Sequence, residues 1–310
     1  MPELPEVETV ANGVNARVRG ERIVAAWFGD KREPMKTAPA VMERVLTGAV
    51  IGRVHRVGKT VVMDLAREDG AALQMLIHLG MTGQLLVSDG DAPRAKHTHM
   101  VLSLADGREL RFVDPRRFGR LSIFGMEGPD LGRGGAKAKS KAKAKTKARG
   151  SSRKPSQRDC AILDSAAEFA GSGAEPLTIS MEAFRELFHG RKTPIKAALL
   201  NQKLLHGVGN IYADEALFRA GVRPGRQAAK VTRVEMERLR VGLVEVLRQA
   251  IALGGSSVSD YVDADGMRGF FQVEHRVYQR TGEPCLVCGR PIRKVVIGGR
   301  SSHFCPHCQK

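Results

Sequence analysis

The sequence lacks any run of about 18 apolar residues, the length that a membrane-spanning helix needs. Its start is acidic and lacks the basic-then-apolar pattern of a secretory signal. Cysteine is scarce: there are five, and four of them form two Cys-x-x-Cys pairs within one 24-residue stretch. We therefore expect a soluble cytoplasmic protein with no membrane partner, and a metal site in place of a disulfide framework.

Acidic residues are absent from residues 133–158, which contain seven lysines and four arginines. Removing this local charge of +11 from the net charge of +17 leaves +6 for the rest of the chain. The segment has almost nothing apolar to bury, so its composition predicts disorder. It is either an electrostatic tether to nucleic-acid phosphates or a solvated spacer. The net charge is therefore weak evidence that the folded part binds nucleic acid, and only its motifs can indicate such binding.

The length of 310 residues predicts two domains and a small third module, and strand patterns followed by helical patterns predict an α+β protein. Residues 3–18 have helical spacing, with Pro5 suited to the first turn. Strand patterns that favour an antiparallel sandwich or barrel lie at 22–28, 52–65, 72–79, 84–88, 98–104 and 109–113. Helical patterns in the second half lie at 180–189, 194–203, 211–220 and 233–253.

The first residues after Met1 combine an imino acid with two carboxylates, in the order Pro2-Glu3-Leu4-Pro5-Glu6. If Met1 is removed, the Pro2 nitrogen becomes a free secondary amine that can attack a sugar or carbonyl carbon. An α-amino group has a reference pKa near 8, against about 10.4 for lysine, so a neutral fraction exists at physiological pH. Glu3 and Glu6 could supply protons. The alternative is that this segment only begins a helix.

Cys285-x-x-Cys288 is followed, after sixteen residues, by Cys305-x-x-Cys308. This spacing predicts a zinc ribbon in which four thiolates hold one structural zinc ion. The alternatives are a redox dithiol, or replacement of one cysteine by His303 or His307. Between the pairs, residues 295–300 predict a hairpin that presents Arg300 either to a phosphate or to solvent.

Two further segments have both a binding and a structural interpretation. His206-Gly207-Val208-Gly209-Asn210 precedes a helix, where Asn210 suits the amino-terminal cap and free backbone amides suit a phosphate. Asp114-Pro115-Arg116-Arg117-Phe118-Gly119 follows a strand and places two cations beside an aromatic ring. Such a tip could wedge into a base stack, or it is an ordinary turn.

Together these segments resemble bacterial formamidopyrimidine-DNA glycosylase, a family of base-excision repair enzymes for oxidised purines. The similar segments occur in the family's order over nearly the whole chain, and only about residues 133–173 lack a counterpart. They are Pro2 to Thr9, Gly58-Lys59, His78 to Gly83, Asp114 to Gly119, Glu175-Pro176-Leu177, Arg191 to Lys196, Gly207 to Glu215, Gly282 to Cys285 and Cys305 to Lys310.

The resemblance implies a multidomain fold with DNA held in a cleft. It assigns residues 2–132 to an amino-terminal helix and antiparallel β-sandwich that form the catalytic domain, and 133–173 to a lysine-rich insertion. It assigns 174–270 to a helix–two-turn–helix domain and 271–310 to a zinc finger. The implied partner is damaged double-stranded DNA, and we expect a monomer.

The resemblance also implies residue roles. Pro2 would be the Schiff-base nucleophile at the deoxyribose C1′, Glu3 the general acid, and Glu6 a group that organises the terminus. Lys59 and Arg300 would contact phosphate and assist elimination. Met81, Arg116 and Phe118 would fill the space left by the extruded base. Further DNA contacts would come from His97, Arg191, Asn210, Arg116 and Lys196. Lys196 and the loop residues Gly254, Gly255, Ser256, Ser257 and Tyr261 would face the lesion.

Two departures and two rival functions accompany the resemblance. The lysine-rich insertion is unusual, and Ser256-Ser257 stands where many members carry two threonines. The nearest rival is an endonuclease VIII-like enzyme that acts on oxidised pyrimidines with the same Pro2 chemistry. The Pro-Glu-Leu-Pro opening and the Met81, Arg116 and Phe118 set favour the purine enzyme. The second rival is a non-catalytic zinc-ribbon protein that binds DNA.

Overall fold

The computed structural model describes residues 1–31, 33–126, 163–164, 169, 172–257 and 261–310. Residues 133–158 lie outside this part of the chain, so their predicted disorder and tethering role stay predictions. Among the helices within the described residues, none is both long and apolar enough to cross a bilayer.

The amino-terminal half packs a helix, α1 (Leu4–Val18), against two sheets. The other elements of this half are β1 (Ile23–Phe28), α2 (Pro39–Leu46), β2 (Val50–Val57), β3 (Thr60–Ala66), β4 (Ala72–His78), β5 (Gln84–Asp89), β6 (Thr98–Leu104), β7 (Arg108–Val113), β8 (Arg120–Met126) and β9 (Leu163–Asp164). The sheets have the orders β1-β6-β7-β5 and β2-β3-β4-β8-β9, and every pair except β8–β9 is antiparallel. The predicted antiparallel sandwich is confirmed.

Helix α1 forms where its sequence predicts it. Pro5 lies in the first turn, and the Glu6 carboxylate caps the helix by accepting a 2.8 Å hydrogen bond from the Glu3 amide. Val7, Val10 and Val14 recur at helical spacing and are buried in the core between the sheets. The apolar face therefore fixes the helix in the sandwich and holds its amino-terminal end in place.

The strand predicted at 52–65 is two strands. The chain reverses between β2 and β3 in a two-residue turn, in which Val57 pairs with Thr60 and Gly58 has φ +60°. Glycine at the first position of such a turn adopts this conformation without a side-chain clash. This reversal of the chain places Lys59 at the tip of a hairpin. Strand β8 and helix α2 were not predicted.

The carboxyl-terminal half contains α3 (Met181–Phe188), α4 (Ile195–Leu199), α5 (Asn210–Ala220) and α6 (Arg233–Ala252), followed by the strands β10 (Arg293–Ile297) and β11 (Arg300–Phe304). The predicted capping box of α6 is present: Thr232 Oγ1 accepts from the Glu235 amide, and Glu235 Oε2 accepts from the Thr232 amide at 2.8 Å. Helix α4 ends earlier than predicted, because the chain turns at Asn201, whose carbonyl accepts from the Leu204 amide at 2.8 Å.

The two halves exchange residues between their cores. Leu4, at the start of α1, packs in the core of the carboxyl-terminal half. Tyr261 and Ala264, which follow α6, pack in the core of the sandwich, and the Ala264 carbonyl accepts from the Val87 amide at 3.1 Å. This exchange fixes the start of α1 at the junction of the halves, where a cleft opens.

Candidate active site and nucleic-acid interface

A cleft of about 520 Å³ opens at the junction of the halves. The sequence-predicted residues that line it come from all parts of the fold and include Pro2, Glu3, Glu6, Lys59, Met81, Asn210, Ser256, Tyr261 and Arg300. Their convergence requires the sandwich, the helical half and the terminal hairpin to be packed together.

Pro2 is buried at the head of α1, whereas Met1 is half exposed in the cleft. While Met1 is attached, the Pro2 nitrogen is part of an amide and has no nucleophilic lone pair. Because both residues line the cleft, removal of Met1 would leave the new amine facing the same space. The geometry thus fits a nucleophile that processing creates.

Glu3 follows Pro2 in the cleft lining and is only 5 % exposed. Its Oε1 accepts from the Ile211 amide at 3.3 Å, and its Oε2 is buried without a hydrogen-bond partner among the described residues. Burial raises the pKa of Glu3 to about 7; the Lys59 cation opposes this rise and the Glu6 carboxylate adds to it. A carboxyl group that keeps its proton near neutral pH can act as a general acid.

Glu6 is held by three donors. One oxygen accepts from the Glu3 amide, and the other accepts from the Tyr212 hydroxyl and from the Ser256 amide at 2.8 Å. Burial raises the pKa of Glu6, and these hydrogen bonds oppose the rise. Glu6 therefore connects the amino terminus to α5 and to the loop after α6.

Lys59 and Arg300 bring positive charge to the cleft. Burial lowers the pKa of Lys59 and the nearby Arg300 lowers it further, whereas Glu3 and Glu6 raise it. Arg300 is exposed at the start of β11, which pairs with β10 in the predicted hairpin. The two cations come from opposite ends of the chain and could stabilise one anionic group between them.

Asn210 is not the predicted amino-terminal cap of α5. The cap position belongs to Gly209, and Glu3 accepts the free Ile211 amide in place of an Asn210 side chain. A β-carbon at Gly209 would lie 2.1 Å from the Glu3 carboxyl carbon, so only glycine allows this approach. Asn210 instead lines the cleft, and its Oδ1 is buried without a partner among the described residues.

Met81, Arg116 and Phe118 project from two loops beside the cleft. Met81 is 38 % and Phe118 53 % exposed, and the Arg116 guanidinium stacks 4.8 Å from the Phe118 ring centroid. The buried Asp114 carboxylate braces the loops by accepting from Thr82 Oγ1 at 2.6 Å and from the Gly119 amide at 2.8 Å. Exposed side chains on a fixed backbone are suited to insertion into a base stack.

His97 and Arg191, the other predicted backbone contacts, are both exposed. His97 has φ +69°, and its carbonyl accepts from the Asp114 amide at 3.0 Å, so it lies beside the Arg116 loop. Arg191 follows α3 in the other half. Neither lines the cleft, so the two would extend a DNA-binding surface beyond it.

The prediction that Lys196 faces the lesion and contacts DNA is wrong. It is 0 % exposed, and its ammonium pairs with Asp214 at 2.7 Å and donates to the Ser301 carbonyl at 2.6 Å. The ammonium is therefore unable to face a lesion or contact DNA directly in this structure. The prediction failed because a buried acid on α5, Asp214, pairs with the lysine.

The predicted lesion-facing loop is described except at residues 258–260. Gly254 and Gly255 have φ of +73° and +81°, the left-handed conformation that ends α6. The Ser256 amide donates to Glu6, and Ser257 Oγ donates to the Tyr261 carbonyl at 2.9 Å. Both described ends of the loop therefore lie at the cleft.

The structure adds buried acids and a phenol that the sequence-based site omitted. Asp114 braces the Phe118 loop, Asp214 holds Lys196, and Tyr212 donates to Glu6. Glu215 accepts three backbone amides from Arg276 to Tyr278. The sequence could have indicated part of this network, because the adjacent acids Asp214 and Glu215 interrupt an apolar run in α5 and buried acids need partners.

The four predicted zinc ligands cluster at the end of the chain. The sulfur atoms of Cys285, Cys288, Cys305 and Cys308 all lie within 4.8 Å of one another, and two pairs are 3.5 and 3.9 Å apart. Zn–S bonds of about 2.3 Å in a tetrahedron imply S–S distances of about 3.8 Å. The set therefore fits one structural zinc ion with no open position.

Comparison with known proteins assigns all three parts of the chain to related domains. Residues 1–121 match the formamidopyrimidine-DNA glycosylase N-terminal domain, residues 172–262 the H2TH domain of the same enzyme, and residues 282–310 the zinc finger found in FPG and IleRS. A formamidopyrimidine-DNA glycosylase of Solibacter usitatus is 45 % identical over 313 residues, which cover 100 % of both chains.

Two solved structures of the Lactococcus lactis enzyme have the same fold. A mutant form in complex with Fapy-dG-containing DNA aligns with a TM-score of 0.80 at 30 % identity, covering 100 % of both chains. The wild-type protein in complex with oxidised-pyrimidine-containing DNA aligns with a TM-score of 0.79, again at 30 % identity and covering 100 % of both chains. The similarity thus extends over the whole length of these chains.

Proposed function

The chain belongs to the formamidopyrimidine-DNA glycosylase family, and from that premise we propose that it excises oxidised purines, including 8-oxoguanine and formamidopyrimidines, and then cleaves the abasic strand. It is a DNA glycosylase of base-excision repair whose partner is damaged DNA. The observation that supports the proposed chemistry best is the convergence of Pro2, Glu3 and Lys59 in one cleft.

Base release would begin at the amine that removal of Met1 creates. The Pro2 nitrogen forms a bond to C1′ of the damaged nucleotide as the bond from C1′ to the base breaks, and the electron pair leaves with the base. The nitrogen then loses its proton, which balances the proton that the departing base anion takes up. Glu3 donates a proton to the sugar ring oxygen, the bond from C1′ to that oxygen breaks, and a charged iminium remains.

Strand cleavage would follow from the same iminium. It withdraws electrons and acidifies the C2′ proton, whose loss expels the 3′ phosphate, and a second elimination expels the 5′ phosphate. Lys59 and Arg300 line the cleft, and their cations would stabilise the negative charge on the departing phosphates. This sequence of β and δ elimination makes the protein a bifunctional glycosylase and lyase.

Access to the base requires its extrusion from the duplex, which costs a few kcal/mol. Met81 and Phe118 would occupy the vacated stack and offset part of the lost stacking energy. Arg116, stacked on Phe118, would face the orphaned cytosine. The exposure of these side chains in the described structure supports this assignment.

Zinc would have a structural role. Bound to Cys285, Cys288, Cys305 and Cys308, it would fix the fold of the terminal hairpin that carries Arg300. A shell of four thiolates leaves no position for water or substrate, so the ion supplies folding energy and no reaction step.

The proposal also includes three details. The protein prefers purine lesions, acts as a monomer, and works in the cytoplasm, where bacterial DNA lies. The Pro2-to-Pro5 opening and the Met81, Arg116 and Phe118 set favour the purine lesion. The relative's complex with oxidised-pyrimidine DNA makes lesion range a quantity to measure on this chain.

Borohydride reduction tests the proposed function. Intact mass first establishes that Met1 is absent from the preparation. The enzyme is then incubated with a duplex that contains 8-oxoguanine opposite cytosine, with an oxidised-pyrimidine duplex, and with an undamaged duplex. We expect covalent trapping that is fastest with 8-oxoguanine and is abolished by Pro2→Gly. Binding without trapping in verified Met1-free protein would favour the non-catalytic zinc-ribbon function, and faster trapping on the pyrimidine duplex would favour the endonuclease VIII-like function.

A further inference from the structure

Arg56 lies on β2, in the hairpin that carries Lys59, and its side chain is only 4 % exposed. Its Nε donates to Glu8 Oε2 at 2.6 Å, its Nη1 donates to the Gly58 carbonyl at 3.1 Å, and its Nη2 lies 3.0 Å from Glu175 Oε2. A guanidinium presents these donors in a rigid fork, so the three acceptors fix its plane and position.

The three acceptors belong to different parts of the fold. Glu8 is on α1, the helix that begins at the nucleophile, and Gly58 is in the turn between β2 and β3. Glu175 belongs to the carboxyl-terminal half, in the segment before α3. Arg56 therefore ties the turn to the amino-terminal helix on one side and to the helical half on the other.

The opposite side of the turn is also fixed. The His206 ring packs so closely on Gly58 that a β-carbon there would lie 2.9 Å from its Nδ1. His206 Nε2 lies 3.2 Å from the same Glu175 oxygen that receives Arg56. Glu175 thus joins the two side chains that contact Gly58.

Lys59 follows Gly58 directly and depends on this arrangement. Among the described residues, its ammonium has no hydrogen bond or ion pair of its own; what acts on it is burial and the longer-range charges of Glu3, Glu6 and Arg300. With no such partner among the described residues, the backbone of the two-residue turn sets the point and direction from which the Lys59 side chain reaches into the cleft. A small misplacement of a catalytic group can cost about 100-fold in rate.

We propose that Arg56 and Glu175 are positioning residues that set the place of Lys59 in the cleft through the Gly58 turn. This inference rests on the proposed function, which assigns Lys59 to the chemistry. Glu8 and His206 complete the cluster, on the α1 side and on the Gly58 side. Since the cluster joins both halves of the protein, the position of Lys59 depends on how the halves pack.

A double-mutant cycle tests this inference. Single-turnover excision of 8-oxoguanine and cleavage of a preformed abasic site are measured at saturating enzyme for Glu175→Gln, Lys59→Ala and the double variant. We expect Glu175→Gln to slow the reactions roughly tenfold or more, and to add no slowing once Lys59 is absent. Glu186→Gln, an exposed change on neighbouring α3, is the matched control and should leave the rates unchanged.

A second cycle uses Arg56→Lys, which keeps the charge but loses the fork, with exposed Arg53→Lys on the same strand as its control. This second cycle still tests the inference if Glu175→Gln fails to fold. Equal slowing with and without Lys59 would mean a general structural role and would overturn the inference, as would unchanged rates in both cluster variants. A full rate in Lys59→Ala would instead refute the proposed role of Lys59, and the positioning inference with it.

Discussion

The floor of the cleft, which contains Glu3 and Glu6, and its rim, which carries Phe118 and Arg300, are built in opposite ways. On the floor, Glu3 and Glu6 are buried and are held by backbone amides and a phenol from other segments. On the rim, Phe118 and Arg300 are exposed, and what is fixed is the backbone beneath them. The comparison indicates that the groups proposed to react are tuned by burial, whereas the groups proposed to contact DNA are exposed side chains on a fixed backbone.

Zinc removal tests the rim most severely. Binding of a structural zinc ion contributes about 10–16 kcal/mol of apparent folding free energy in small zinc modules. We expect chelation to release one metal ion per chain, to unfold the terminal module and to weaken DNA binding through loss of the Arg300 hairpin. Metal content, circular dichroism and DNA affinity measure this. Undiminished affinity in metal-free protein would show that the hairpin needs no such brace.

Glu3→Gln tests the floor. The amide keeps the shape of the side chain but has no acidic proton to donate to the sugar ring oxygen, so we expect iminium formation, measured by borohydride trapping, to slow about 10²- to 10⁴-fold. Affinity for lesion-containing DNA should be nearly unchanged, because Glu3 is buried below the surface. Single-turnover rates and titrations separate the two effects, and Glu68→Gln, an exposed change in the same half of the protein and outside the cleft lining, serves for comparison. A variant that kept its rate would remove Glu3 from the chemistry.

Phe118→Ala tests the rim by a smaller change. Stacking on an aromatic side chain contributes about 1–3 kcal/mol per base, so base excision should slow about 10- to 100-fold. Cleavage of an abasic duplex should change much less, because there is no base to extrude. Val24→Ala, another exposed apolar residue in the sandwich, should affect neither reaction. Equal losses on both substrates would contradict insertion of the ring.

The pH dependence of stability provides the finest test of the floor. The folded pKa of Glu3, about 7, exceeds its ordinary value of 4.5, so the folded state binds the proton more tightly. The stability that Glu3 contributes is complete below the unfolded pKa and is lost as pH rises through 7. For protein that retains Met1, we expect Glu3→Gln to be about 1–3 kcal/mol more stable than the parent at pH 8, and nearly equal at about pH 4.5. Denaturant unfolding at both pH values measures the difference.

Some features of the fold and the site could be predicted from the sequence, and others could not. Helix α1 and the α6 capping box follow from periodicity and capping patterns, and the four cysteines from their spacing. These features depend on neighbours in the chain. The turn at Gly58 was missed although its glycine is a local signal for a two-residue hairpin. The cap of α5 was predicted wrongly because Glu3, distant in sequence, accepts the Ile211 amide.

Lys196 and Glu3 illustrate why distant partners escaped prediction. Both are charged residues in recognisable motifs, yet Lys196 is buried against Asp214 and Ser301, whereas Glu3 lines the cleft and takes over a helix cap. No local pattern distinguishes the two environments. The distinction arises only when α5 is packed against the amino terminus and the terminal hairpin.

Mapping of the reduced adduct tests the central claim most directly. The enzyme is trapped by borohydride on 8-oxoguanine DNA, digested with nuclease and protease, and sequenced by tandem mass spectrometry. The account predicts a sugar remnant attached to the nitrogen of an amino-terminal Pro2, in a peptide that lacks Met1. A remnant attached to Lys59 or another lysine, or efficient trapping by chains that retain Met1, would contradict it.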